Sequence, residues 1–109
     1  MDVISIKDFP GIRIGNAQNV EGGTGCTVIL SESGMCAGLD VRGGGPASRE
    51  SEVLKPLASA QTIHAVLLGG GSAFGLDAGG GVMQFLEEKD IGFDVGVTKV
   101  PLVCQSDLF

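Results

Sequence analysis

The segment His64–Glu88, HAVLLGGGSAFGLDAGGGVMQFLEE, joins an aliphatic run to two glycine triplets. The aliphatic run ends in Gly69–Gly71, and the apolar-periodic segment after it contains Gly75 and Gly79–Gly81. Glycine inside a helix costs about 1 kcal/mol relative to alanine, so these four helical glycines cost roughly 4 kcal/mol of helix propensity. We therefore expect the helix to lie in close contact with another part of the backbone, where only glycine leaves room.

The first triplet lies between a predicted strand and a predicted helix. Ile63–Leu68 is apolar apart from His64, which is typical of a strand covered on both faces. The helix is predicted to begin at an N-cap, Ser72. Its N-terminus would leave N–H donors exposed, so this loop is the predicted binding edge of the chain. On the helix, one apolar stripe is expected to contain Phe74, Ala78, Val82, Phe85 and Leu86.

The segment before this unit reads as short strands and turns. Gly11–Gln18 is a first strand and Glu21–Gly25 a turn. A hairpin is predicted over 26–41, with its turn at Ser31–Gly34. A short helix is expected over Ala47–Leu57, after a glycine loop.

The segment after the unit is predicted to be extended over Phe93–Val103. Pro101 would restrict its end to a sheet edge or to a segment outside the sheet. The last residues, QSDLF, contain neither a charged tail nor a helix stop, which resembles an interruption more than a finish.

Composition bounds the class of protein. The 109 residues allow one domain, and the net charge of −6 without a Lys/Arg cluster argues against nucleic-acid binding. The N-terminus does not have the pattern of a signal peptide, and no apolar run is long enough to span a membrane. Three cysteines without metal-type spacing suit reduced thiols, so we expect a cytoplasmic protein. The aliphatic, glycine-rich composition suggests a surface that needs a partner or a missing half.

The residues alone do not form a complete catalytic set. Phe74 occupies the place of the third glycine of a dinucleotide-binding loop, and no lysine follows the loop as in a P-loop. His64 is the only histidine and opens a buried strand, which favours a structural role over a dyad with Cys104. No spacing of His and Cys suits a metal ion, so no metal, cofactor or catalytic residue is predicted from the residues.

Two long segments resemble one family over nearly the whole chain. DVRGGGPASRES (Asp40–Ser51) and the His64–Glu88 segment resemble the DmpA-like aminopeptidases, which include L-aminopeptidase/D-esterases, β-peptidyl aminopeptidases and nylon-oligomer hydrolases. The opening Phe9–Leu30 and the closing Val97–Phe109 fit the same family, and the GGSAFGLDA-type segment is highly specific.

The resemblance implies an α/β (α+β) fold, part of an αββα sandwich that is incomplete in this chain. Residues 1–109 would be the N-terminal portion of the first subunit of a self-processing aminopeptidase-like domain. In the family, autocatalytic cleavage creates an N-terminal Ser or Thr nucleophile, and no cofactor or metal is used. That nucleophile lies downstream of position 109, so this chain alone would be inactive. The implied partners are the remainder of the precursor or the second subunit, further copies of the chain, and a small peptide or amide substrate.

The residues expected to form one wall of the substrate pocket are Gly70, Gly71, Ser72 and Phe74. Some relatives have tyrosine at the position of Phe74, where the hydroxyl helps to hold the substrate carbonyl. Phenylalanine has no such donor, so the backbone N–H groups of Gly70–Ser72 are expected to take that role. Two alternatives stay open, a stand-alone, non-catalytic module that oligomerises or binds a small ligand, and a nucleotide-binding protein.

Overall fold

Seven β-strands and one α-helix make up the regular structure of residues 1–109, as described by a computed structural model. The strands are β1 (Arg13–Asn19), β2 (Thr24–Met35), β3 (Ala47–Arg49), β4 (Ile63–Gly69), β5 (Phe93–Asp94), β6 (Lys99–Val100) and β7 (Val103–Asp107). The helix α1 spans Ala78–Glu87, and short 3₁₀ helices lie at Ile6–Asp8, Ser51–Leu54 and Ser72–Asp77. The helix is neither long nor apolar enough to cross a membrane.

Five of the strands form one mixed sheet in the order β1-β2-β4-β7-β3, and β5 and β6 form a separate small hairpin. β4 and β7 are parallel, with Ala65 opposite Val103, while the other neighbours are antiparallel. Parallel neighbours require a crossover connection, and here that connection contains the glycine-rich loop and α1. The carboxyl ends of β4 and β7 therefore meet at one edge of the sheet, directly beside this loop.

The hydrophobic core lies on both sides of β4. On the α1 side, Leu30, Ala65, Leu86 and Val103 form one buried cluster. On the other side, a second cluster of Ile63, Leu102 and Cys104 packs against residues of the Ser51–Leu54 turn. The prediction of a buried central strand is confirmed for Ile63–Ala65 and Leu67.

The sheet face opposite α1 is only partly covered. Ile14 and Leu68 are 45% and 50% exposed on their strands. The fold is mixed α/β, as predicted. It provides one helix layer and one sheet, which matches an incomplete domain rather than the four layers of an αββα sandwich.

The predicted hairpin over residues 26–41 is wrong. β2 continues through Ser31–Gly34 to Met35. Its pairing with β4 shifts in register between Leu30 and Met35 but resumes at Met35, so the strand does not end at the predicted turn. The hairpin is formed by β1 and β2, joined by the turn that includes Gly23 at φ +62°.

The predicted helix over Ala47–Leu57 is also wrong in its first half. Ala47–Arg49 pairs antiparallel with the end of β7, and Glu50 then adopts a left-handed conformation at φ 58°. Only Ser51–Leu54 is helical, as one 3₁₀ turn. Strand pairing here outweighs the local helix signals, as is common for short segments.

The predicted α-helix from Ser72 begins six residues late. Ser72 is at φ +55° and does not cap a helix, and Ser72–Asp77 is a 3₁₀ helix that follows Gly71 at φ +95°. A 3₁₀ helix has three residues per turn instead of 3.6, so the predicted stripe loses its phase across this segment. Leu86 is buried, whereas Phe74 is 92% exposed.

Candidate functional site

The glycine loop after β4 is held by backbone hydrogen bonds from two sides. The Gly70 N–H donates to the carbonyl oxygen of Gly25 at 3.0 Å, and the Ser72 N–H donates to that of Leu108 at 2.8 Å. In return, the Leu108 N–H donates to the Gly69 carbonyl oxygen at 2.9 Å. Of the N–H groups of Gly70–Ser72, only that of Gly71 makes no hydrogen bond within the chain.

Gly75 confirms the expected close approach of backbones. A Cβ atom at Gly75 would overlap the carbonyl oxygen of Gly70 and lie 2.6 Å from Asp107 Oδ2. At Gly79 the neighbours are side chains instead, with Gln105 Oε1 at 2.6 Å from the Cβ position. Gly80 and Gly81 have no neighbouring atom within 4 Å of their Cβ positions, so the second triplet needs glycine at only one of its three places.

The structure places the four predicted pocket residues around the loop without bringing all of them to one surface. Gly70 and Gly71 line an open groove of about 1100 Å³ that extends to the β1–β2 turn. Gly70 and Phe74 line a smaller neighbouring depression of about 340 Å³. Ser72 is half-buried and lines neither of them. Gly70 is thus the shared wall of the two cavities.

Two polar residues of β7 lie behind the loop and are absent from the sequence prediction. Gln105 Nε2 donates to the Gly75 carbonyl oxygen and to Asp107 Oδ1, both at 2.8 Å. The amide oxygen of Gln105, Oε1, and the second carboxylate oxygen of Asp107, Oδ2, are buried without a hydrogen-bond partner. Gln105 and Asp107 are two residues apart on β7 and therefore lie on one face of the strand, but the polar run QSD has no local signal that identifies it as a strand.

An arginine from the edge strand β3 completes this cluster. Arg49 pairs in register with Gln105, and its Nη1 donates to the Leu76 carbonyl oxygen at 3.3 Å. The turn that carries Phe74 is therefore held by side chains of β3 and β7, through hydrogen bonds to the carbonyl oxygens of Leu76 and Gly75. Such support from rigid elements fixes the position of a loop.

Cys104 does not have the properties of a nucleophile. Burial, with a smaller contribution from Glu50, raises the pKa of the Cys104 thiol to about 11. The thiol donates to the Glu50 carbonyl oxygen at 3.6 Å, and His64 Nδ1 instead accepts the Leu102 N–H at 3.2 Å. A protonated, buried thiol with no histidine bonded to it is chemically inert at neutral pH, so the dyad has no support.

A family model and several curated relatives match the chain. The model of peptidase family S58 matches residues 5–109. An uncharacterized aminopeptidase of Mycobacterium tuberculosis (strain H37Rv) is 41% identical over 115 residues, covering 96% of this chain and 33% of the relative. A 6-aminohexanoate-oligomer endohydrolase of Kocuria sp. (strain KY2) is 33% identical over 102 residues, covering 94% of this chain and 26% of the relative.

The same pattern of coverage holds for an uncharacterized aminopeptidase of Mycobacterium leprae, which is 39% identical over 96% of this chain and 31% of its own length. The chain spans about a third or less of the length of these relatives and matches their N-terminal part. The chain belongs to peptidase family S58, the family of the DmpA-like aminopeptidases.

Proposed function

We propose that this chain is the N-terminal portion of the first subunit of a self-processing hydrolase with an N-terminal nucleophile. The complete enzyme would release N-terminal residues from peptides, amides or esters. The family match supports this proposal, as do the names of the relatives, since an aminopeptidase and an oligomer endohydrolase both cleave amide bonds. The Ser or Thr nucleophile belongs to the part of the enzyme beyond these residues.

The role of this chain in that enzyme is to form one wall of the substrate pocket. The observation that carries this role is the loop Gly70–Phe74, which is anchored on both sides and yet presents the unpaired Gly71 N–H and an exposed phenyl ring. An N–H donor can hold a substrate carbonyl or a developing oxyanion, and the ring of Phe74 offers apolar contact to a substrate side chain. Gly70 and Ser72 contribute through the backbone bonds that fix the loop.

The remainder of the precursor, or the second subunit, is the proposed partner for the uncovered face of the sheet. The exposed apolar side chains of Ile14 and Leu68 lie on that face, where a second sheet would bury them. Assembly of several copies of the complete enzyme is part of the same proposal. The chain by itself is proposed to be inactive, because acyl transfer needs a nucleophile and a base that it does not supply.

The test is a complementation assay. The chain is co-expressed with the part of the M. tuberculosis relative that lies beyond the match, and the release of p-nitroaniline from aminoacyl p-nitroanilides is measured. The Phe74→Ala variant is compared with Leu57→Ala, since Leu57 is 99% exposed and lies outside both cavities. We expect hydrolysis only when both polypeptides are present, a raised KM with Phe74→Ala, and no change with Leu57→Ala.

Two results would contradict the proposal. The first is hydrolysis by the partner polypeptide at the same rate with and without this chain. The second is an active pair in which Phe74→Ala and Leu57→Ala have identical kinetics, which would remove Phe74 from the pocket.

A further inference from the structure

One peptide unit of the glycine loop has no hydrogen-bond partner for either of its polar groups. The unit consists of the Gly70 carbonyl group and the Gly71 N–H, and neither makes a hydrogen bond within the chain. The two neighbouring peptide units are anchored, because the Gly70 N–H donates to Gly25 at 3.0 Å and the Ser72 N–H donates to Leu108 at 2.8 Å. A single unbonded peptide unit thus lies between two fixed ones.

The orientation of this unit decides where its N–H points. The Gly70 carbonyl oxygen faces the inside of the chain, where it lies against the Cβ position of Gly75, and Asp107 Oδ2 is 2.6 Å from the same position. The N–H and the C=O of a trans peptide point in opposite directions, so the Gly71 N–H points outward. Gly71 is exposed and lines the open groove, so a bound group has access to this donor.

Asp107 is poorly matched to the outward orientation of the N–H. The residue is only 8% exposed, and its Oδ1 accepts the Gln105 Nε2 hydrogen at 2.8 Å, while its Oδ2 is buried without a partner. The group that shares the space of Oδ2 is a second acceptor, the Gly70 carbonyl oxygen. A buried acceptor without a donor is costly. Inverting the peptide unit would replace this oxygen by the Gly71 N–H, which a carboxylate oxygen accepts strongly.

The backbone at Gly70 and Gly71 permits this inversion. Turning the unit over changes the ψ angle of Gly70 and the φ angle of Gly71, and neither residue has a Cβ atom that would oppose the change. The φ angle of Gly71 is +95°, and a turn of about 180° would take it to about −85°, a value open to every residue. The anchored neighbouring units keep their places.

We propose that Asp107 is a positioning residue that draws the Gly71 N–H inward and thereby controls whether this donor is available in the pocket. In the inward orientation the N–H donates to Asp107 Oδ2, and the pocket wall presents the Gly70 carbonyl oxygen instead. In the outward orientation the N–H is free and Oδ2 is unpaired. The inference rests on the proposed function in one respect, namely that the outer acceptor is a substrate carbonyl. Such a carbonyl competes with Asp107 for one N–H, so the inward population weakens its binding.

Two substitutions hold the peptide unit in opposite orientations. Asp107→Asn retains an oxygen for Gln105 and presents an amide N–H to the Gly70 carbonyl oxygen, which favours the outward orientation. Gly71→Ala disfavours φ +95° and therefore favours the inward orientation. Asp77→Asn is the matched control, because Asp77 is exposed and its side chain does not cap the helix.

The exchange of the amide proton of residue 71 with water reports the orientation. It is measured by NMR on the 109-residue chain at neutral pH and corrected for the intrinsic rate of each residue type. We expect exchange to be about tenfold slower in Gly71→Ala than in Asp107→Asn, as for one hydrogen bond to a charged group. The native chain and Asp77→Asn should share an intermediate rate. The dispersion of the amide signals checks that each variant is folded.

Equal rates in the native chain and in Asp107→Asn would overturn the proposal. This result would arise if the unit never inverts, or if a carboxylic acid proton on Oδ2 already holds the Gly70 carbonyl oxygen. The comparison does not need Gly71→Ala to fold. Because exchange is measured without substrate, the expected rates together with a failed complementation assay would refute the proposed function alone. Equal rates together with an active complemented enzyme would refute the inversion alone.

Discussion

Substituting Gly75 by alanine tests whether the glycine loop is built on a close contact of two backbone segments. In the native chain the carbonyl oxygen of Gly70 and Oδ2 of Asp107 both lie inside the space that a Cβ at Gly75 would need. The peptide unit that carries this carbonyl lies between two anchored ones, because the Gly70 N–H donates to the Gly25 carbonyl oxygen and the Ser72 N–H to that of Leu108. Gly81→Ala is the matched control, since its Cβ would meet nothing within 4 Å and the residue lies in α1.

The two substitutions should change stability in opposite directions. Overpacking a fixed site costs about 1–3 kcal/mol, so we expect Gly75→Ala to lower the free energy of unfolding by about 2 kcal/mol. Gly81→Ala removes a helical glycine and should raise the free energy of unfolding by about 1 kcal/mol. At about 4 °C per kcal/mol for a domain of this size, the two variants should differ in Tm by roughly 12 °C.

Urea and thermal unfolding followed by circular dichroism measure both quantities. The slope of the urea transition must be the same in the two variants for the stabilities to be compared. If Gly75→Ala were as stable as Gly81→Ala, the loop would have room at Gly75, and the reason given for this glycine would be refuted.

Three further predictions follow from the buried polar and titratable groups. Asp107→Asn should raise the free energy of unfolding by about 1–2 kcal/mol, measured by urea unfolding. The native Oδ2 has no hydrogen-bond partner, whereas the amide nitrogen of asparagine can donate to the nearby Gly70 carbonyl oxygen. A loss of stability would show that Oδ2 is needed as an acceptor. Cys36 is exposed and should be alkylated by iodoacetamide at pH 8 in the folded chain, whereas Cys104 is buried with its pKa raised to about 11 and should react only after unfolding. Equal labelling of the two cysteines in a peptide map of the folded chain would contradict the burial of Cys104. Burial lowers the pKa of His64 from its ordinary value of 6.5, so the unfolded state binds the proton more readily and the free energy of unfolding should fall as the pH drops below 6.5. In His64→Gln the free energy of unfolding should depend less steeply on pH in this range. An unchanged slope would contradict the lowered pKa of His64.

The strands that were predicted correctly have a local apolar signal. Ile63–Leu68 is an aliphatic run interrupted only by His64, and the structure has it as the central strand β4, which is buried except at Val66 and Leu68. β7 was missed because Gln105, Ser106 and Asp107 are polar, and their strand forms through its pairing with β4. Such non-local pairing leaves no trace in the sequence pattern of the segment itself.

The candidate site was predicted only in part, because some of its features are local in the sequence and others depend on strand pairing. Glycine at Gly70, Gly71 and Gly75 marked the loop, because close approach requires a missing side chain and this requirement is visible in sequence. The side chains beneath the loop were not visible, since Arg49 and Gln105 meet only through the β3–β7 pairing. The late start of α1 likewise depends on the left-handed backbone at Gly71 and Ser72.

The central claim is that this chain forms a wall of the substrate pocket and that another part of the enzyme supplies the nucleophile. Its most direct test is the hydrolysis of aminoacyl p-nitroanilides by the purified chain alone. We expect no release of p-nitroaniline above the uncatalysed rate, because the Cys104 thiol is protonated and buried, and His64, the only histidine, is bonded through Nδ1 to the Leu102 N–H and not to a serine hydroxyl. Hydrolysis that co-elutes with the folded chain through successive chromatographic steps, and that disappears in its Ser72→Ala or Cys104→Ala variant, would show that these residues contain a nucleophile of their own.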